Sequence, residues 1–162
     1  AALELVAAIG EGSFRDSESL LDQLSALGEE ISQDTVEQLT GRTGLKKVSE
    51  LSTLILKKDL PGALAYITKL NEEGANLAQT SKDLIHYLRK VLSLKTNPNL
   101  ENFFSGELTR EEIGELKNLS TLAETETLVR LLKSLITAHT EIRYSPFPIV
   151  PLEIALIENL KS

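Results

Sequence analysis

The pattern that comes nearest to a chemical site is a short turn followed by an arginine, "GSFRD", at residues 12–16. The apolar spacing after it predicts a helix that begins at residue 14, with Ser13 as its N-cap. Arg15 then lies in the first helical turn, where the helix dipole disfavours a cation by about 0.3–1 kcal/mol. Arg15 is therefore simply solvated, or placed to meet an anion, or paired with Glu18 or Asp22 on its own helix.

The other polar residues form no second catalytic pattern. The chain has no Cys, which excludes disulfides, thiolate metal ligands and a thiol nucleophile. Its two histidines, His86 and His139, fall on different predicted helices without a metal-binding context. We interpret His86 as solvent-facing and His139 as a hydrogen-bonded core residue. The segment "GRTGLKK" lacks the spacing of a phosphate-binding P-loop, so we expect neither a metal site nor a self-contained active site here.

The composition and charge place the chain among globular proteins. It is 41% hydrophobic and 25% charged, and no apolar run reaches the ~20 residues of a membrane span. Residues 1–41 carry nine acidic and one basic group, whereas residues 42–162 carry fifteen acidic and sixteen basic groups. This shift indicates a domain boundary at residues 41–42 and argues against a nucleic-acid surface made by this chain alone. We expect a cytoplasmic protein that does not enter a membrane.

The elements that must position these residues are all predicted to be helices. Apolar residues recur every three or four positions along nearly the whole chain, and no segment alternates like a strand. Besides Ser13, residues that favour a helix start stand at Ser32 or Asp34, at Asp59 (with Pro61 in the first turn), at Asn76, and at Thr109 with Glu112 as a capping box. In the first half of the chain the predicted helices are residues 14–27, a short helix through Val36 and Leu39, a helix through Leu45–Ile55, and a helix from 60 to about 74. In the second half they are a helix from Asn76 to the break at Asn97-Pro98-Asn99, the segment "LTREEIGELKNLS", residues 122–142, and a last helix with Leu152, Leu156 and Leu160 on one side. The fold class is all-α.

The 122–142 helix has an unusually wide apolar surface. Leu128, Leu132, Leu135 and Ile142 form one line, and Val129, Leu131 and Ile136 widen it, which indicates packing against more than one neighbour. The following segment "YSPFPIVP" is predicted to be an extended connector, because a residue before proline avoids helical angles.

The stretch "EGSFRDSESLLDQ" resembles the Gly-Ser-x-Arg-Asp-x-x-Ser-Leu-x-Asp-Gln signature of the gamma/tau subunits of bacterial DNA polymerase III, the clamp-loader ATPases. Ser17 stands where that family often has Ala. The segment "EEISQDTVEQLTG" resembles the family's short helix that closes the lid domain. The segment "LILKKDLPGALAYITKLNEEG" and the tail "EIRYSPFPIVPLEIALIENL" resemble its collar helices and its terminal Ser-Pro and Leu-Glu blocks. The resemblance covers essentially the whole chain.

This resemblance implies an architecture and a role for Arg15. Residues 1–41 would be the C-terminal part of a small helical AAA+ lid, and residues 42–162 a helical collar through which subunits form a ring. Arg15 would be the second-sensor arginine, whose guanidinium reaches the terminal phosphates of a nucleotide. Gly12, Ser13 and Asp16 support the motif, and Asp16 is interpreted as an N-terminal cap with no catalytic role.

The resemblance also implies what the chain lacks. We expect a piece of a longer protein, with the nucleotide-binding domain upstream of Ala1, so that the chain alone neither binds a cofactor nor hydrolyses ATP. In the intact subunit the cofactors would be ATP and Mg. The partners would be the other clamp-loader subunits and, through the complex, the sliding clamp and primed DNA during replication. Two alternatives stay open: the lid and collar of another AAA+ loader, and a stand-alone helical protein–protein adaptor.

Overall fold

A computed structural model describes residues 3, 6, 14–26, 28, 31–32, 35–36 and 44–161. Within these ranges every regular element is helical, as the apolar spacing predicts. The α-helices are α1 (Phe14–Ala26), α2 (Leu45–Leu56), α3 (Leu60–Glu72), α4 (Leu77–Thr96), α5 (Glu101–Phe104), α6 (Arg110–Ser120), α7 (Thr125–Ile142) and α8 (Ile149–Leu160), with a 3₁₀ turn at Pro98–Leu100. The boundary predicted at residues 41–42 lies outside the described residues and stays a prediction.

Side-chain caps fix the starts of α3 and α4 where the sequence places them. The Asp59 carboxylate accepts a hydrogen bond from Gly62 N at 2.9 Å, and Pro61 occupies the first turn of α3. The Asn76 side chain accepts a bond from Gln79 N at 3.1 Å at the start of α4. Each cap satisfies a backbone N–H that the helix itself leaves unpaired.

The predicted capping box starts α6. Glu112 N donates to the Thr109 hydroxyl at 3.2 Å, and Thr109 N donates to the Glu112 carboxylate at 2.8 Å. The two orphan donors are thus satisfied reciprocally. This closes the turn between α5 and α6 and sets the direction in which α6 leaves it.

Two segments differ from the predictions. The chain leaves α4 at Asn97 as expected, but residues 98–104 then form a 3₁₀ turn and the short helix α5. The predicted extended connector is also absent: residues 143–148 form turns and bends, and α8 already begins at Ile149 and includes Val150 and Pro151. The preference of a residue before proline for extended angles is therefore overridden at Val150. Proline is tolerated there because the first turn of a helix needs no N–H donor.

Helix α4 lies at the centre of the main core. It packs against α7, α6 and α2, while α8 packs against α7 and α3. The buried side chains are almost entirely aliphatic, in agreement with the scarcity of aromatic residues in the sequence. Fully buried members include Leu51, Ile67, Leu84, Leu88, Leu116, Leu128, Leu135, Leu152 and Leu156. This core positions α7 and α8 as one layer of the molecule.

A second, smaller apolar cluster lies toward the N-terminus. Val6, Leu24 and Val36 are buried there, and Leu45 at the start of α2 packs against this cluster as well as against the main core. Ser32 Oγ accepts a hydrogen bond from Thr35 N at 3.2 Å, as expected of the N-cap of the short helix through Val36. Leu45 is thus a direct packing contact between α1 and the helical core.

Candidate functional site

Arg15 is the second residue of α1, and its side chain is exposed. The alternative pairing within the helix is absent from the structure, because Arg15 forms no ion pair within 4 Å with the described residues Glu18 and Asp22. The guanidinium therefore lies in the first turn of a helix and is accessible to an anion. A helix N-terminus and a guanidinium both favour a negatively charged ligand.

The residues predicted to support Arg15 are described only in part. The backbone of Asp16 belongs to α1, as predicted, but its side chain lies outside the described residues. Gly12 and Ser13 lie outside them altogether. The structure therefore places Arg15 at the start of the expected helix, and the rest of the motif stays a prediction.

The two histidines occupy the environments predicted for them. His86 is exposed on α4. His139 Nδ1 lies 2.6 Å from the hydroxyl of Ser81, which is fully buried on α4, so the pair joins α7 to α4. Among the residues that the structure describes, no three potential ligands of a metal ion lie together.

The outward side of α8 carries an apolar ridge that sequence reasoning missed. Val150, Ile154 and Ile157 of α8 are 39, 48 and 40% exposed, and their spacing of four and three residues places them along one face; Phe147, 67% exposed, stands in the loop just before the helix. Leu152 and Leu156 on the opposite face are fully buried against the core. We call these four residues the α8 ridge. The signal was present in the sequence, since α8 is apolar nearly all round, which is unusual for a helix with a solvent-facing side.

Helix α7 carries a second exposed apolar patch. Of the three residues predicted to widen its apolar surface, Leu131 is buried, whereas Val129 and Ile136 are 37 and 53% exposed. Ile136 lies three residues before His139, and hence on the side of α7 that faces α4. We call Val129 and Ile136 the α7 flank.

The loop between α7 and α8 presents two aromatic rings. Tyr144 is 85% and Phe147 67% exposed. The Ser145 hydroxyl accepts a hydrogen bond from Phe147 N at 3.1 Å and donates one to Phe147 O at 3.0 Å. Pro146 and Pro148 restrict the backbone on either side. The loop therefore holds its exposed rings in a defined arrangement.

A groove of about 720 Å³ opens between α2, α3 and α6, a size typical of ligand sites. Leu54, Leu119 and Leu122 supply its apolar lining. Two carboxylates stand beside them. Glu50 accepts a hydrogen bond from the Tyr66 hydroxyl at 2.9 Å, and Glu115 accepts one from Ser49 Oγ at 3.0 Å.

Burial and carboxylates together keep the groove hydroxyl of Tyr66 protonated. Burial raises the pKa of Tyr66 well above its usual range, and the hydrogen bond to Glu50 acts in the same direction. Tyr66 is thus a hydrogen-bond donor to Glu50 at all moderate pH values. In the part of the chain that the structure describes, no helix is both long enough and apolar enough to cross a bilayer.

Comparison with known sequences identifies the family. Residues 31–161 match the family described as DNA polymerase III subunits gamma and tau, domain III. DNA polymerase III subunit tau of Bacillus subtilis (strain 168) is 28% identical over 158 residues, which cover 96% of this chain and 27% of that protein. Protein STICHEL of Arabidopsis thaliana is 34% identical over 139 residues, or 80% of this chain and 11% of that protein. The chain thus spans about a quarter or less of the length of these two relatives.

The fold is also that of a solved clamp-loader protein. The Bacillus subtilis DNA clamp loader delta protein superposes with a TM-score of 0.64 over 97% of this chain and 49% of that one, at 15% identity. At this identity the likeness concerns the helical fold alone. The sequence match over residues 31–161 is the stronger finding, and it agrees with the resemblance seen in the collar segment and the C-terminal blocks. The chain belongs to the family of DNA polymerase III subunits gamma and tau, and residues 31–161 correspond to domain III of that family.

Proposed function

We propose that this chain is the assembly module of a clamp-loader ATPase subunit, the collar that holds the ring of subunits together, preceded by the end of the AAA+ lid. The observation that carries the proposal is the α8 ridge, which consists of three partly exposed apolar side chains on a helix whose other face is in the core, and of Phe147 in the loop before it. Contiguous exposed apolar surface marks a site of protein–protein contact. Because the chain belongs to the gamma/tau family, we take the assembly to be the ring of clamp-loader subunits.

The arrangement of the apolar patches supports a head-to-tail contact between subunits. The α8 ridge faces away from the core, and the α7 flank lies on the side of α7 next to α4. The other side of α7, at Thr127 and Leu131, meets Asn159 and Leu160 of α8. The α8 ridge and the α7 flank are therefore two different surfaces, and they lie toward different sides of α7. Contacts between unlike surfaces build rings, whereas a single self-complementary patch builds a closed dimer.

Arg15 carries the second part of the proposed function. In the intact subunit its guanidinium would contact the terminal phosphates of ATP bound, with Mg, by the upstream nucleotide-binding domain. The exposed position of Arg15 at the start of α1 is consistent with this role, because the helix end and the cation favour the same anion. The chain alone would neither bind nor hydrolyse ATP. The complex would act in the cytoplasm on the sliding clamp and primed DNA.

The ring-holding role is tested by a charge on the α8 ridge. Ile154→Asp should reduce self-association of the chain and its incorporation into a reconstituted clamp loader, because it buries a carboxylate without a partner. Sedimentation velocity over a concentration series measures the first effect, and co-purification of the subunits measures the second. Thr137→Asp, at an exposed polar position on α7, is the matched control. If both variants assemble like the wild type, the ridge is not an assembly surface.

The sensor role is tested in the intact subunit. Arg15→Ala should leave the melting temperature of this chain nearly unchanged, since an exposed first-turn arginine carries less than about 1 kcal/mol. Restored to the assembled loader, it should slow ATP-dependent clamp loading, and Arg15→Lys should recover only part of the rate because it lacks the planar fork. A variant that destabilises the chain while the loader responds normally to ATP would show that Arg15 is structural.

A further inference from the structure

The loop at residues 143–148 has the chemistry of a docking motif. It presents the exposed Arg143 between the end of α7 and two largely exposed rings, Tyr144 and Phe147. The Ser145 hydroxyl accepts a hydrogen bond from Phe147 N and donates one to Phe147 O, and these bonds and the two flanking prolines pre-order the loop. A loop already held in its bound shape loses less conformational entropy when it docks.

The groove between α2, α3 and α6 has the complementary chemistry. Its leucines include Leu122, which is 42% exposed and able to cover an incoming ring. Its charged residues are Glu50, Glu115 and Lys57, so the lining carries one negative charge in excess. Glu50 and Glu115 each accept one hydrogen bond from a hydroxyl and form no ion pair within 4 Å among the described residues. An ionised carboxylate can accept several hydrogen bonds, so both retain capacity for a guanidinium.

The loop and the groove of one chain lie at opposite ends of α8. The C-terminal end of α8, at Asn159 and Leu160, lies beside Ile55 and Leu56 at the end of α2. The loop precedes the N-terminal end, and a helix of 12 residues is about 18 Å long. Within the chain the rings of Tyr144 and Phe147 remain exposed, so the loop does not occupy the groove of its own chain.

We propose that the 143–148 loop of one copy docks into the α2–α3–α6 groove of a second copy. Arg143 meets the carboxylates of Glu50 and Glu115, and the rings of Tyr144 and Phe147 cover the leucines. The contact joins unlike surfaces and leaves one loop and one groove free at the ends, so it can be repeated from copy to copy. It rests on the proposed function in one respect, that the second copy is the neighbour in the ring.

The direct test uses the loop as a labelled peptide. A fluorescein-labelled peptide of residues 142–149 is titrated with the 162-residue chain, and binding is followed by fluorescence anisotropy. The wild-type chain should bind the peptide, and replacing both groove carboxylates in Glu50→Gln/Glu115→Gln should weaken binding by about tenfold or more, which corresponds to about 1.4 kcal/mol. Glutamine keeps the acceptor oxygens used by Tyr66 and Ser49, so the fold is preserved.

Matched controls separate this site from general charge and apolar effects. Glu72→Gln removes an exposed carboxylate of α3 outside the groove and should leave the affinity unchanged. A peptide with Arg143→Glu or Phe147→Ser should bind the wild-type chain at least several-fold more weakly. Glu115→Lys in the chain should restore binding of the Arg143→Glu peptide, which only a direct contact between the two positions predicts.

The outcomes distinguish this proposal from the ring-holding role. Absence of peptide binding at about 1 mM, or binding that the groove variants leave unchanged, overturns the loop-in-groove contact. The ring-holding role would still stand in that case if Ile154→Asp prevents assembly. Peptide binding that depends on the groove supports the contact even where the chain stays monomeric. If the loader then assembles normally with Ile154→Asp, only the role of the ridge is overturned.

Discussion

Tyr87 gives a prediction whose size follows from the structure. Its ring is packed in the main core with 4% of the residue exposed, and its hydroxyl has no hydrogen-bond partner among the described residues. Burial raises the pKa of Tyr87 from 10.0 to about 12. The hydroxyl of Ser49, which approaches that of Tyr87 without the geometry of a hydrogen bond, lowers the pKa in part, whereas the negative charges of Glu115 and Glu112 raise it further. Tyr87→Phe removes the hydroxyl and leaves the packing of the ring in place.

The raised pKa fixes the sign of the pH dependence. Below pH 10 the hydroxyl is protonated in both the folded and the unfolded chain, so ionisation does not affect stability. At pH 11 most unfolded molecules have lost the proton and most folded ones have kept it, which shifts the folding equilibrium about tenfold, or about 1.4 kcal/mol, toward unfolding. The loss continues until the pH passes about 12. Tyr87→Phe has no hydroxyl to ionise at this position, so this decrease in the free energy of unfolding does not occur in the variant.

Urea denaturation followed by circular dichroism, at pH values from 7 to about 11, measures the difference. At pH 7 Tyr87→Phe should be equal to or more stable than the wild type by about 1 kcal/mol, because it removes a buried hydroxyl without a partner. Its advantage should then grow by about 1.4 kcal/mol at pH 11. Tyr144→Phe, at a position that is 85% exposed, is the control and should follow the wild type. If Tyr87→Phe and the wild type lose stability in parallel, the assigned burial effect is wrong.

Three further predictions, made on five substitutions, concern the packing and the helix ends, and each is measured as the free energy of unfolding in urea. Thr109→Ala should cost about 1 kcal/mol, because it removes one half of the capping box of α6; an unchanged stability would contradict the box. Leu156→Ala should cost about 2–5 kcal/mol because Leu156 is fully buried, while Ile154→Ala, on the ridge of the same helix, should cost less than half as much. Gly74→Ala should cost about 1 kcal/mol because Gly74 has φ +81°, whereas Gly114→Ala inside α6, where a Cβ meets open space, should stabilise by up to about 1 kcal/mol.

The parts of the fold that sequence reasoning predicted correctly depend on local interactions. The caps at Asp59, Asn76 and Thr109 join residues three positions apart, so their signals are contained in the sequence. The helical class follows from the apolar period in the same way. Helix α5 was missed because it is only four residues long and has no repeating apolar stripe.

The candidate surfaces were predicted less well because they depend on which helices pack together. The sequence shows that Val129, Leu131 and Ile136 are apolar, but only the packing of α8 against α7 decides that Leu131 is buried and the other two are exposed. The groove joins Ser49 to Glu115, 66 positions apart, and no local pattern encodes that contact. The position of Arg15 in the first turn of α1 was predicted from local spacing, and its sensor role stays a prediction.

The packing of Leu45 against both clusters opposes a tilt of the N-terminal cluster away from α2. A rotation of α1 that separates the cluster of Val6, Leu24 and Val36 from α2 would expose roughly half of a leucine side chain, at a cost of about 1 kcal/mol. A penalty of that size leaves the tilted arrangement populated at the level of several per cent or more, if no other contact opposes it. A ligand that prefers the tilted arrangement by only a few kcal/mol could then make it dominant. Leu45→Ala would lower the penalty and shift that balance before any ligand binds.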